Sequence, residues 1–161
     1  MSRWSGRFHP IGENEQPNDP SKDFPMRETF VDYGGKDREF EITLQDVQLG
    51  YLVEVDEVGK DYLGYQFATF SATSPYLALG DLRVKMRRAL STRHLEKRPD
   101  GHTLPAHDTL RGRITGDPDA EGPIFVVDGV PLSLQEFGRL VQTYEGWQFS
   151  FRFVDRDAEV T

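Results

Sequence analysis

The chain has 161 residues, and 19 Lys and Arg against 27 Asp and Glu give it a formal net charge of -8 at pH 7. Hydrophobic residues make up 37% and aromatic residues 12%, which favours one packed domain over a disordered chain. Cysteine is absent, which excludes disulfides, thiolate nucleophiles and Cys-ligated metal centres. No stretch approaches the ~20 apolar residues that span a bilayer, and the N-terminus lacks a signal peptide, so we expect a soluble, cytoplasmic protein without membrane contact.

The first 27 residues are predicted to form a flexible arm. They hold four of the ten prolines and show neither helical nor strand periodicity. Trp4 and Phe8 are candidate anchors in this arm, either for a partner or for the protein's own body. A single domain is expected over residues 28–157, followed by a disordered tail over 158–161.

Alternating hydrophobic residues predict three successive strands, at about residues 38–44, 51–55 and 61–71, which form an antiparallel meander. Ser74 and Pro75 then predict the start of a helix, in which Gly80 is a weak point. We assign the basic run over residues 82–98 to this helix, because Pro99 and Gly101 end the helical pattern.

The second half of the chain predicts two further strands, at residues 110–114 and 124–127, and Asp128-Gly129 predicts a tight hairpin after them. Pro131 confines the returning strand to a sheet edge. A second copy of the chain could pair with this edge unless Pro131 prevents the pairing. Ser133 and Glu136 form a capping box for a second helix.

The most regular alternation lies near the C-terminus, where Trp147, Phe149, Phe151 and Phe153 alternate with polar residues and predict a final strand. The predicted order is therefore βββ-α-ββ-α-β. It indicates an α+β domain, with two helices packed on one face of a mainly antiparallel sheet.

Arginine and lysine cluster between Arg83 and Arg98, where seven cations are opposed by one acidic residue. A solvated face is the ordinary interpretation of such a run. Because guanidinium groups suit phosphate and carboxylate alike, the alternative is a binding patch. Because the chain as a whole is acidic, nucleic acid is the less favoured ligand of this patch. The candidate binding residues are Arg83, Arg87, Arg88, Arg111 and Arg113.

One acidic stretch partly matches a calcium-binding loop. Asp117, Asp119, Glu121 and Asp128 fall at positions 1, 3, 5 and 12 of that loop. The last ligand is Asp rather than the usual bidentate Glu, and strands rather than helices flank the stretch. A polar turn explains the same residues, so neither a metal nor any other cofactor is predicted.

The histidines give a second chemical alternative. His102 and His107, with the adjacent Asp108, are the acid/base groups that a hydrolase-type enzyme would use. His94 lies near them in the sequence, but the spacing matches no known ligand pattern, and solvated loop histidines are the ordinary interpretation. Dinucleotide, Walker A, nucleophile-elbow and zinc-protease motifs are missing as well. We therefore assign no catalytic residue.

Residues 77–155 resemble an uncharacterised domain of unknown function found in bacterial hypothetical proteins. The resemblance implies a bacterial, cytosolic α+β domain, and it supplies neither a ligand nor catalytic residues. The segments that carry it are Met86-Arg87-Arg88-Ala89-Leu90, His94-Leu95, Leu110-Arg111-Gly112-Arg113-Ile114, Val127-Asp128-Gly129, Glu136-Phe137-Gly138-Arg139-Leu140 and Tyr144-Glu145-Gly146-Trp147-Gln148-Phe149.

The absence of catalytic motifs, the segregated charge and the aromatic residues of the arm favour a non-enzymatic interaction or regulatory module. We expect it to bind a protein partner. Phosphate-ligand or nucleic-acid binding through the basic run is the first alternative, and a hydrolase is the second. The sequence leaves the oligomeric state open.

Overall fold

The computed structural model describes residues 19–159. After a single 3-10 turn at Pro20–Lys22, four strands form an antiparallel sheet, which we call sheet A, in the order β1-β2-β3-β4. Helix α1 follows and packs against this sheet. The bounds are β1 Met26–Val31, β2 Asp37–Val47, β3 Gly50–Glu57, β4 Gln66–Ser71 and α1 Pro75–Leu90.

The main core lies between sheet A and α1, and it follows from their periodicities. Residues two apart in β2 and β3 point to the same face, and α1 presents residues three to four apart to that face. The Ser74 side chain caps α1 by accepting a hydrogen bond from the Tyr76 backbone N–H. The largest fully buried side chains are Phe40, Ile42, Leu82, Met86, Leu90, Val53 and Val55.

The second half of the chain forms two small sheets and one helix. Strands β5 (Leu95–Lys97) and β6 (Thr103–Pro105) pair with each other. Strands β7 (Arg113–Thr115), β8 (Ile124–Val127) and β9 (Val130–Leu132) form a three-stranded sheet in chain order. Helix α2 (Leu134–Gln142) contacts β6, β8 and β9. A separate small core results, made of Leu95, Val127, Leu132 and Leu140.

The predicted α+β class is confirmed, and so are several local signals. Asp128 and Gly129 have φ angles of 53° and 70°, as a two-residue hairpin requires. Ser133 and Glu136 form the predicted capping box, and β9, with Pro131, is an edge strand. The architecture differs from the prediction in one respect, because the strands form three antiparallel sheets and the two helices pack on different ones.

The predicted basic helix over residues 82–98 is wrong, because α1 ends at Leu90. The hydroxyls of Ser91 and Thr92 donate hydrogen bonds back to the Arg88 carbonyl, and such bonds compete with continued helix. The backbone N–H groups of His94 and Leu95 then donate to the Asp128 carboxylate, which draws the chain into β5. Gly80, by contrast, stays inside α1 without breaking it.

Three further boundaries differ from the prediction. Phe24 is buried and β1 begins at Met26, so the fold starts inside the predicted arm. The strand predicted over residues 110–114 is β7, at Arg113–Thr115, and its alternation is reversed: Ile114 is exposed and Arg113 is half-buried. The final predicted strand, over residues 147–153, pairs with no strand in the part of the chain that the structure describes.

Candidate functional site

Residues 147–153, which we call the aromatic segment, carry four large exposed aromatic side chains. The segment follows α2 and a turn in which Gly146 takes a φ of 89°. The exposed fractions of Trp147, Phe149, Phe151 and Phe153 are 63%, 83%, 63% and 79%. Four neighbouring exposed rings make this segment a candidate contact surface, because soluble monomers rarely expose contiguous apolar patches of more than a few hundred Å².

The three phenylalanines form a continuous row. Ring centroids lie 5.3 Å apart between Phe149 and Phe151 and 6.3 Å apart between Phe151 and Phe153. Rings two residues apart meet when a chain is extended, because alternate side chains then point to the same side. Polar residues Gln148, Ser150 and Arg152 occupy the intervening positions. The segment therefore has the side-chain pattern of a strand, and no strand of residues 19–159 lies beside it.

The N-terminal end of the aromatic segment is held by Tyr144. The Trp147 N–H donates to the Tyr144 carbonyl at 2.8 Å, and the two rings meet edge to face with centroids 5.2 Å apart. The Tyr144 hydroxyl in turn donates to the Asp108 carboxylate at 3.3 Å. Burial, together with the charge and the hydrogen bond of Asp108, raises the pKa of Tyr144.

The C-terminal end is fixed to α1 and β3 by three contacts, which we call the C-terminal anchor. The Arg156 guanidinium lies 2.6 Å from the Glu54 carboxylate of β3. Lys85 of α1 donates to the Ala158 carbonyl at 2.8 Å, and Arg88 pairs with Glu159 at 2.8 Å. Burial lowers the pKa of Lys85. Both ends of the aromatic segment are thus held, and its four rings are exposed between them.

A second feature is a buried ionic network around Arg38 on β2. Its guanidinium donates to Asp32 and to Glu57, both at 2.8 Å, and lies over the Tyr65 ring at 5.2 Å from the centroid. Glu57 also accepts a hydrogen bond from the Tyr65 N–H. The Tyr65 hydroxyl is buried without a hydrogen-bond partner among the described residues, and this burial raises the pKa of Tyr65.

The hairpin at Asp128-Gly129 covers Tyr65 and joins the two halves of the chain. A Cβ on Gly129 would lie only 2.6 Å from the Tyr65 ring, so glycine permits this close approach. Nearby, the Arg113 guanidinium donates to the Tyr62 carbonyl and, at 2.7 Å, to the Gly64 carbonyl. The contacts of the network and the hairpin thus join β2, β3 and the second half of the chain.

The Asp128 side chain accepts three hydrogen bonds, from the His94 N–H, the Leu95 N–H and the His94 ring Nδ1, at 2.7 to 3.0 Å. His94 is buried, and no described residue bonds its Nε2. The sequence interpretation of His94 as a solvated loop histidine is thus wrong. The two residues are 34 positions apart, and no motif spacing links them.

The predicted arginine patch is divided by the structure. Arg83 pairs with Glu28, Arg88 pairs with Glu159, and Arg113 bonds backbone carbonyls. Arg87 and Arg111 are exposed, and no described residue bonds their side chains. Phosphate or nucleic-acid binding at this patch stays a prediction, with two of the five arginines available.

The predicted acid/base and calcium residues are not brought together. His102 contacts Asp100 at 3.3 Å, His107 is exposed, and Asp108 accepts from Tyr144 instead of from a histidine. Within residues 19–159, no group of three or more His, Asp and Glu side chains is placed to hold a metal ion. Asp128, the last residue of the calcium-loop match with Asp117, Asp119 and Glu121, is engaged with His94. The candidate anchors Trp4 and Phe8 lie outside the described residues.

Two family models match the chain, one in each half. Residues 22–91 match the domain of unknown function DUF7686, and residues 94–158 match the domain of unknown function DUF7713. No curated protein and no solved structure matches the chain. Among the described residues, no helix is long and apolar enough to cross a membrane.

Each half of the chain is thus similar to a domain of unknown function, and the boundary between the two matches agrees with the structure. The first match covers sheet A and α1, and the second covers β5 to β9, α2 and the aromatic segment. The resemblance over residues 77–155 is confirmed as one to domains of unknown function. Its bounds are wrong, since they cross from one domain into the other. The sequence alone indicated the aromatic segment by its period of two, but not its exposure.

Proposed function

We propose that this protein is a non-enzymatic interaction module that binds a protein partner through the aromatic segment. The single observation that carries this proposal is the row of exposed rings on a segment held at both ends. Aromatic residues dominate the binding free energy of protein interfaces, because each buries a large area with few rotatable bonds. A segment that is already extended loses little conformational entropy when it binds.

The charge around the aromatic segment favours a protein over nucleic acid. Residues 145–159 contain four acidic and two basic residues, and Arg156 is paired with Glu54. Single-stranded nucleic acid needs a positively charged groove along its backbone in addition to stacking rings. The residues around the rings supply more acidic than basic side chains, which disfavours such a groove.

Affinity capture of the tagged full-length chain from its source lysate, after nuclease treatment, tests the proposal. The test variant is Phe149→Ser/Phe151→Ser. The matched control is Leu49→Ser/Leu77→Ser, which removes two exposed apolar side chains elsewhere on the surface. The protein that wild type retains is then purified and titrated against all three chains. We expect the test variant to bind at least about tenfold more weakly and the control to bind like wild type.

Equal affinity of wild type and the test variant for the purified partner overturns the proposal. Retention that disappears with nuclease, and that Arg87→Glu removes while the aromatic variant does not, favours the nucleic-acid alternative instead. Circular dichroism of each variant checks that the fold is intact, which we expect because the substituted side chains are exposed.

A further inference from the structure

We propose that the partner of the aromatic segment is a second copy of this chain, and that two such segments pair as an antiparallel ladder centred on Ser150. This inference rests on the proposed function and specifies the partner. An antiparallel pair about a two-fold axis is self-complementary, since each strand then meets the same sequence running in the opposite direction.

The sequence of the aromatic segment is symmetric about Ser150 in its side-chain classes. With Ser150 opposite its own copy, Phe149 faces Phe151 and Trp147 faces Phe153. All four rings of each chain therefore meet rings of the other chain, and aromatic cross-strand pairs stabilise antiparallel sheets. The remaining pair, Gln148 opposite Arg152, carries no like-charge repulsion.

Neighbouring registers that keep the rings on one face are worse. With the axis at Phe151, Trp147 faces Asp155, and with the axis at Phe149, Phe153 faces Glu145. With the axis at Arg152, the two guanidinium groups face each other, and like charges directly opposite destabilise a ladder. The register centred on Ser150 is therefore favoured over these three.

Apart from the Trp147 N–H, the backbone of the aromatic segment is free to form this ladder. No backbone hydrogen bond to another described residue is made by residues 148–154. The Gly146 turn and the C-terminal anchor hold the ends apart, which leaves the seven residues of the segment exposed and extended between them. Isolated unpaired strands of this kind are templates for pairing with another chain.

The exposed area agrees with a dimer of modest affinity. With each aromatic side chain offering about 200 Å² and the four rings about 70% exposed, each chain presents roughly 600 Å² of aromatic surface. Two chains together present roughly 1,200 Å², at the lower end of specific interfaces. A ladder covers only the part of this surface that faces the opposite strand, so we expect a concentration-dependent dimer.

The absence of cysteine from the chain permits a direct test by disulfide trapping. In the full-length chain, Ser150→Cys places the new thiol opposite its own copy, with Cα atoms about 4.5–5.5 Å apart, which suits a disulfide. In the Gln148→Cys and Arg152→Cys variants, the new thiol lies opposite a residue without a thiol, so each variant alone forms linked dimers slowly. When the two variants are mixed, the two thiols lie opposite each other and linked dimers form rapidly. Leu49→Cys is the control for random collision, since Leu49 is 79% exposed in the turn between β2 and β3.

We expect Ser150→Cys to form a disulfide-linked dimer roughly tenfold or more faster than Leu49→Cys under mild oxidation. In sedimentation, we expect the mass of the untreated wild-type chain to shift from 18.4 kDa to twice that value as its concentration rises. Phe149→Ser/Phe151→Ser stays a monomer. A wild type that is monomeric throughout, or equal rates for the two cysteine variants, overturns the self-pairing proposal.

Assemblies larger than a dimer also overturn it, because they require pairing between different surfaces of the two copies. The proposed function is judged separately. If the chain does not pair with itself but binding of a purified partner still requires Phe149 and Phe151, the proposed function is retained and the partner is another protein. If neither dimer nor partner depends on these rings, both proposals fail.

Discussion

Asp128 is part of the predicted hairpin, and its carboxylate also binds a distant segment of the chain. The carboxylate oxygens accept hydrogen bonds from two backbone N–H groups and from the His94 ring. The backbone of Asp128 has a φ of 53°, which Asp and Asn tolerate. We expect Asp128→Ala to lower the free energy of unfolding by about 3 kcal/mol or more, because buried N–H groups lose their acceptor. Asp128→Asn keeps the turn and one acceptor oxygen, so it should lose roughly half as much. Urea unfolding measures both, and an alanine variant as stable as wild type would contradict this role.

The Tyr65 hydroxyl leads to the opposite prediction. Its ring packs against Phe40 and Phe67, with centroids 6.5 Å and 5.8 Å away, whereas the hydroxyl is buried without a described partner. Tyr65→Phe keeps the ring contacts and removes a buried polar group. The free energy of unfolding should therefore stay constant or rise by up to about 1 kcal/mol. Thermal unfolding of the two chains tests this, and a clear loss of stability would show that the hydroxyl has a hydrogen-bond partner in solution.

Single residues also mark the limit of sequence reasoning. The buried pairs that hold the fold join residues far apart in the chain, such as His94 with Asp128 and Arg113 with the Gly64 carbonyl. Motif spacing carries no information about such contacts, because they arise only when separate elements pack. Sequence patterns alone therefore predict a loop histidine at position 94 and an outward-facing arginine at position 113.

Among the secondary-structure elements, the turn between β1 and β2 is stabilised by the ionised form of Asp32. Burial acts to raise the pKa of Asp32, but hydrogen bonds from Arg38, Lys36 and Gly34 outweigh it and hold this pKa below its ordinary value of 3.8. The folded state therefore binds fewer protons than the unfolded state, and the stabilisation is complete above about pH 4. It is lost as the pH falls through the folded pKa.

Urea unfolding between about pH 6 and pH 2 should show this loss in wild type. Asp32→Asn should be less stable than wild type at pH 6, and the difference should shrink as the pH falls. A constant difference across the range would show that Asp32 acts through its shape and hydrogen bonds rather than through its charge.

Elements with local signals were predictable, and elements that need a partner were not. The caps at Ser74 and Ser133 and the Asp128-Gly129 turn depend on residues within four positions, and the structure confirms all three. The alternation over residues 147–153 predicted a strand, whereas the structure shows the rings in a row and assigns no strand there. A period of two defines the faces of a strand but not which strand it pairs with, so the alternation could not show that no described strand lies beside this segment.

For the whole molecule, the two cores differ in size, and this difference predicts how fragments behave. The core of sheet A and α1 contains twelve buried hydrophobic residues, whereas that of the second half contains four. The second half also contacts the first through Arg113, the hairpin on Tyr65 and the C-terminal anchor. Domains of fewer than about 70 residues are marginal even with a good core.

We therefore expect residues 1–92 alone to unfold cooperatively and residues 93–161 alone to lack a cooperative transition. Circular dichroism during urea unfolding, with the full-length chain as reference, measures both. Adding the first fragment should then increase the ordered structure of the second, because Tyr65 and the Gly64 carbonyl supply the contacts that the second fragment lacks. A cooperative transition of residues 93–161 by themselves would show that the small core suffices, and that the contacts with sheet A only orient a separately stable domain.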